Sequence, residues 1–174
     1  MKSPFFSIFF HSLRTTIPMY LFHWTLLFHI IGVGMIFASL IGGIVLHRRV
    51  RGTRDWGQRV ILLPVMRSMG LFSPAGVIVL LLSGIGNITA LSLVNPMPGW
   101  LHLKLTLFFV LLVLGIWGAV LSRRRASLTT LLSGGSGSSE LETKLTSVES
   151  VLSALYFAQG LLVLAIIAIS VIKP

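Results

Sequence analysis

The sequence predicts an all-α integral membrane protein, a bundle of four transmembrane helices. Three observations predict it. The 174 residues are 55% hydrophobic and only 10% charged, with a mean hydropathy of +0.95, and a water-soluble domain of this size needs far more surface charge. Residues 20–46, 73–94, 101–121 and 151–172 form four apolar stretches, each reaching the roughly 20 residues that cross a bilayer. The basic residues gather at the ends of these stretches, where they orient a chain in the membrane and meet anionic headgroups. The net charge of +10 therefore points to a lipid surface and away from nucleic acid. The chain has no cysteine, which excludes a disulfide framework, a thiolate metal site and a cysteine nucleophile.

Taken in order, residues 1–19 with their PFFSIFF run are too short to span and are expected to lie in the interface, with Pro18 near the first turn of helix 1. The first apolar stretch is too long for a signal-peptide core and lacks a small-residue cleavage site, so it reads as retained. HRRVRGTRDWGQRV after it carries Arg48, Arg49, Arg51, Arg54 and Arg59, with Arg67 further on, against Asp55 alone. Arg123, Arg124 and Arg125 follow helix 3, whereas the NPMPG link between helices 2 and 3 is short and uncharged. Basic loops stay in the cytoplasm, so both termini are expected outside, and the fewer Lys2, Arg14 and Lys173 do not reverse that balance. Residues 123–150 read as a cytoplasmic loop containing the flexible linker SGGSGSS. Ser139 and Glu142 match a capping box, so helix 4 is expected to start about a dozen residues ahead of the membrane. Leu141, Leu145, Val148 and Leu152 recur at helical spacing there, with Glu140 and Lys144 as a favourable i,i+4 pair.

Helices in lipid pack through small residues, and those residues mark the buried face. On helix 3, Gly115, Gly118, Ala119 and Ser122 lie within about 60° of Lys104 at 3.6 residues per turn. His102 and Thr106 lie opposite, so Lys104 is the inward residue of WLHLKL. On helix 2 the inward face holds Ser73, Gly76, Ser83, Gly84, Asn87 and Ala90; on helix 1 it holds Thr25, His29, Gly32, Gly43 and His47. Measured from the arginine-marked ends, His29 and Lys104 come to similar depth near the outer surface, with Asn87 close by. His23 and His102, beside Trp24 and Trp100, read as interfacial residues, and His47 beside Arg48 as a cytoplasmic flank residue.

A histidine inside a four-helix bundle, opposite a second Lewis base, is a plausible axial ligand for haem iron. Lysine ligates only as the free amine, and a protonated Lys104 would instead pair with a tetrapyrrole propionate. The metal candidates are thus His29 and Lys104, with His102 and His23 behind them, and Asn87 is a supporting polar group.

FHIIGVG in helix 1, MRSMGLFSPAGVIVLLLSG entering helix 2, GWLHLKLTLFFVLLVLG in helix 3 and the terminal VIKP together resemble the HemJ-type membrane protoporphyrinogen oxidases and the small four-helix proteins around them. The resemblance covers most of residues 28–122 and the last helix. It implies an inner-membrane protein that binds haem b, with its helix-1 histidine at His29 and its helix-3 lysine at Lys104. The family pattern also carries an arginine late in helix 1 and an Asn-Glu in the last helix. Here MIFASLIGGIVLH and FAQGLL stand at those places, with Gln159 nearest the glutamate and so implied as a further supporting polar group of the cofactor site. The resemblance therefore implies a redox or electron-transfer role more strongly than oxidation of protoporphyrinogen.

An alternative is a non-enzymatic accessory subunit of a larger respiratory or photosynthetic membrane complex, or a homo-oligomer, packed through the Gly34, Ala38 and Gly42 stripe. A cation or copper transporter fits worse, since the apolar stretches lack acidic residues and Met35, Met66, Met69 and Met97 make no copper-like cluster by spacing. In every reading the chain is a multi-pass membrane protein, and the resemblance places it in the bacterial inner membrane.

Overall fold

A computed structural model describes the backbone of residues 4–91, 97–135 and 138–172, and the side chains among them from residue 20 onward except 21. The described residues form four helices and no strand: α1 (Pro4–Gly52), α2 (Trp56–Ala90), α3 (Gly99–Ser133) and α4 (Ser139–Ile172). All four are long and apolar enough to cross a membrane, so the chain is a multi-pass membrane protein.

The helices outrun the spans expected from hydropathy. α2 and α3 have 35 residues each, about 52 Å at 1.5 Å per residue against a hydrocarbon core of roughly 30 Å. The excess lies where a loop was expected. α3 continues past Leu121 to Ser133, α4 begins at Ser139, and α2 begins at Trp56 rather than residue 73. Charge marks the membrane edge, not the helix end. RRRASLTTLL and ELETKLTSVES contain no Gly or Pro and many good helix formers, so both segments stay helical in water. Only the glycines stop α3: Gly134 caps it through an N–H bond to the Thr130 carbonyl, and Gly135 turns the chain at φ 84°. At the other end of the molecule, Pro18 lies inside the continuous α1 and not at its first turn.

The cap of α4 also differs by one residue from the expected one. Ser138, not Ser139, receives the Leu141 N–H on its hydroxyl at 3.3 Å. The Glu140–Lys144 pair forms at 2.6 Å, and Leu145, Val148 and Leu152 are buried as their spacing predicts.

The helices pack in a ring in chain order, α1 most closely on α2 and α3 on α4, with looser seams between α2 and α3 and between α1 and α4. The α1–α2 register is antiparallel, with Thr25 against Gly86, Gly32 against Gly76 and Leu80, and Gly42 against Met69. Gly43 meets Tyr156 of α4, and Gly118 of α3 meets Gln159 of α4.

Burial is uneven along the bundle. Val50, Leu132, Leu145, Val148, Leu152 and Leu155 form a core at the arginine-rich end. In the most apolar windows only 11% of α1, α2 and α4 and none of α3 is buried. Phe109, Ile116, Phe157 and Leu164 face outward there, which suits hydrocarbon, because helices satisfy their own backbone groups.

One close contact between α1 and α2 is between glycines. A Cβ at Gly76 would stand 3.0 Å from the Gly32 carbonyl oxygen and from Met35 and Ile36 side-chain atoms. Gly76→Val should therefore destabilise the detergent-solubilised protein by about 1–3 kcal/mol through overpacking. Nothing lies within 4 Å of such a Cβ at Gly34, so Gly34→Ala should leave the thermal unfolding midpoint unchanged or slightly raised.

Candidate functional site

The polar side chains of the bundle collect at two levels. The level nearer the α2–α3 link holds His29. It is half-buried, and its Nδ1 lies 3.1 Å from the Ser83 hydroxyl. That hydroxyl donates to the Val79 carbonyl at 2.6 Å, so it accepts from His29. The proton is thereby assigned to Nδ1, and Nε2 keeps its lone pair. Metal-ligating imidazoles use a hydrogen bond of this kind at the other ring nitrogen to fix their tautomer. One turn further out, the Thr25 hydroxyl donates to the Asn87 amide oxygen at 2.6 Å, tying α1 to α2. Lys104 of α3 is half-buried and within electrostatic range of the His29 ring.

The structure thus brings His29, Asn87 and Lys104 to one end of the bundle. It does not bring Gln159 there. With Gly43 against Tyr156 and His47 against Ser153, Gln159 stands level with residue 40 of α1, about 16 Å along the bundle from His29. It is half-buried against Gly118. His23 and His102 are exposed on the outer faces of their helices. Among the described residues no three His, Cys, Asp or Glu side chains cluster as a metal site, so any metal held here relies on a mixed ligand set with His29.

The second level, at the arginine-rich end, is the more buried one. Arg125 of α3 is 2% exposed. Its Nη1 donates to His47 Nδ1 at 3.0 Å across the ring of helices, and its Nη2 points at the Met66 sulfur at 2.9 Å. A guanidinium has only donors, so His47 must accept at Nδ1 and carry its proton on Nε2. That nitrogen donates to the Ser153 hydroxyl at 2.8 Å, which donates on to the Glu149 carbonyl at 3.1 Å. Tyr156 packs its ring 5.6 Å from the His47 ring, centroid to centroid.

A second diagonal lies beside the first. Arg59 of α2 reaches Glu149 of α4 at 3.5 Å, with both side chains largely buried. The same guanidinium donates to the Thr53 carbonyl at 2.6 Å and covers the Trp56 ring at 4.5 Å. Arg59 thereby closes the C-terminal end of α1, where the helix dipole favours a cation.

His47 is therefore no flank residue: it is 4% exposed and links three helices. The sequence held part of this signal. His47 shares the His29 face, and Arg125 lies within about 60° of the Lys104 direction on α3. What hid the pair was the RRR run, whose three arginines look alike although two are exposed and one is buried.

Comparison with known proteins adds no relative: no family model matches the chain, and no curated protein and no solved structure is significantly similar to it.

The two acid–base pairs of α4 should behave oppositely. Glu149→Gln removes the acid that faces buried Arg59 and should lower stability by about 1–3 kcal/mol in chemical unfolding. Glu140→Gln breaks an exposed pair and should be indistinguishable from the parent protein.

Proposed function

We propose that the chain is a four-pass haem b protein of a bacterial inner membrane, related to the HemJ type, with a redox or electron-transfer role. The arginine-rich end faces the cytoplasm and both termini face outward, in keeping with the positive-inside rule. The observation that carries the reading is the His29–Ser83 hydrogen bond, which engages Nδ1 and leaves the His29 Nε2 lone pair for a ligand, with Lys104 in electrostatic range of the ring.

The donor set fits the group. His29 would hold the iron, and Lys104 would either share in holding it or pair with a propionate. Bound haem b would supply a one-electron couple in an apolar surrounding. This chain's residues do the rest. Ser83 orients the imidazole, and the Thr25–Asn87 bond holds α1 and α2 in the register that keeps His29 against Ser83. The looser seams between the two helix pairs are the places where a flat ligand can enter. Gln159, about 16 Å away, has no part in this ligand set. Protoporphyrinogen oxidation is not proposed, because the arginine, asparagine and glutamate of the family pattern are not matched.

One observation favours a second reading, an accessory subunit or homo-oligomer. Gly34 and Ala38 lie exposed on α1, clear of the other helices, whereas Gly42 of the same stripe is taken by Met69.

Protein purified from haem-replete cells should show a Soret band and a sharp reduced α-band, and His29→Ala should abolish both. Ser83→Ala should leave haem bound but weaken it about 10–100-fold, as expected for a lost second-shell partner. A colourless parent protein that co-purifies stoichiometrically with another membrane protein would support the accessory reading instead.

A further inference from the structure

The turn between α1 and α2 forms a hollow that the haem reading does not use. It is an open depression of about 470 Å³ lined by Arg48, Arg49, Gly52, Thr53, Arg54 and Gln58. Three of these six residues are arginines, all exposed. No ion pair or hydrogen bond engages their guanidinium groups among the described residues. This contrasts with Arg59 and Arg125, whose guanidiniums are spent on internal partners. The neighbouring acid, Asp55, is turned toward its own helix, accepting the Gly57 N–H at 3.0 Å as the cap of α2. The hollow therefore concentrates positive charge around a concave surface and adds the Gln58 amide as a further polar group, whereas the Thr53 hydroxyl is spent on the Arg49 carbonyl at 2.9 Å.

Position narrows the ligand. Arg48 follows Leu46, where the continuous apolar run of α1 ends, by two positions, so the hollow lies where the hydrocarbon ends and headgroups begin. Guanidinium forks match the oxygen geometry of phosphate bidentately, and several of them can share one phosphate. A volume of this size takes a phosphate with a small polar substituent.

We propose that this hollow is a binding site for a phosphate-bearing anion, supplied by an anionic phospholipid headgroup or by a soluble phosphate compound. The site is independent of the haem reading.

Native mass spectrometry of the full chain in detergent tests it, with a short-chain phosphatidylglycerol, phosphatidylcholine and inorganic phosphate as probes. Phosphatidylglycerol should bind in preference to phosphatidylcholine. The triple variant Arg48→Gln/Arg49→Gln/Arg54→Gln should bind it about a hundredfold more weakly, and Arg54→Gln alone about fivefold, at the usual contribution of one basic group near a membrane surface. Arg123→Gln/Arg124→Gln, which removes exposed arginines at the same end that do not line the hollow, should weaken binding far less than the triple variant does. Saturation by inorganic phosphate with the same arginine dependence, and no response to phosphatidylglycerol, would identify the soluble source. Equal loss in the two arginine sets, or no binding of any phosphate probe, would overturn the proposal.

Discussion

Arg125 is the constraint around which the bundle is organised. A guanidinium does not give up its proton in a protein, so burying it requires hydrogen-bond acceptors brought from several directions. Here they come from α1 as His47 and from α2 as the Met66 sulfur, with the chain of bonds passing through Ser153 to α4. Its Nε, buried without a partner, shows how tightly the group is enclosed. Such a burial contributes little net stability beside a well-packed apolar alternative. Its effect is on arrangement. A shift of any helix by one turn would strand a charge in the interior, and Arg59 with Glu149 imposes the same demand on the other diagonal.

This constraint divides the labour along the bundle axis. The arginine-rich end is closed, with leucine and valine packed around the two polar diagonals. Toward the other end α1 and α2 are held by glycine contacts and by the Thr25–Asn87 and His29–Ser83 bonds, and few of the described side chains are fully buried. The register set by Arg125 and His47 continues up α1 to Gly43, Gly32 and finally His29, opposite Ser83. A rigid end and a more open one are what a bundle needs if it is to hold a flat ligand between its helix pairs without losing their order.

Much of this was legible in the sequence. The four helices, the inward turn of Lys104 and outward turn of His102, and the buried leucine stripe of α4 follow from composition and from a period of 3.6 residues. Helix ends were less legible, because hydropathy reports where lipid stops, and residues such as Arg123 or Glu142 are as content in a helix as the leucines before them. Gln159 comes from the family resemblance alone, and its depth relative to His29 depends on the register between helices, which comes from contacts such as Gly43 with Tyr156. The Arg125–His47 pair is separated by 78 residues, and no local pattern reveals which of three consecutive arginines turns inward.

The most direct test is a double-mutant cycle on that pair, measured by reversible unfolding in detergent with His47→Ala, Arg125→Met and the two combined. His47→Ala leaves the Arg125 guanidinium buried without its imidazole acceptor, whereas the combined variant removes that guanidinium as well. The double variant should therefore be less damaged than the sum of the singles, with a coupling energy of about 1–3 kcal/mol. Additive effects would mean that the two side chains do not depend on each other, and the basic end would not be the feature that sets the register of the four helices.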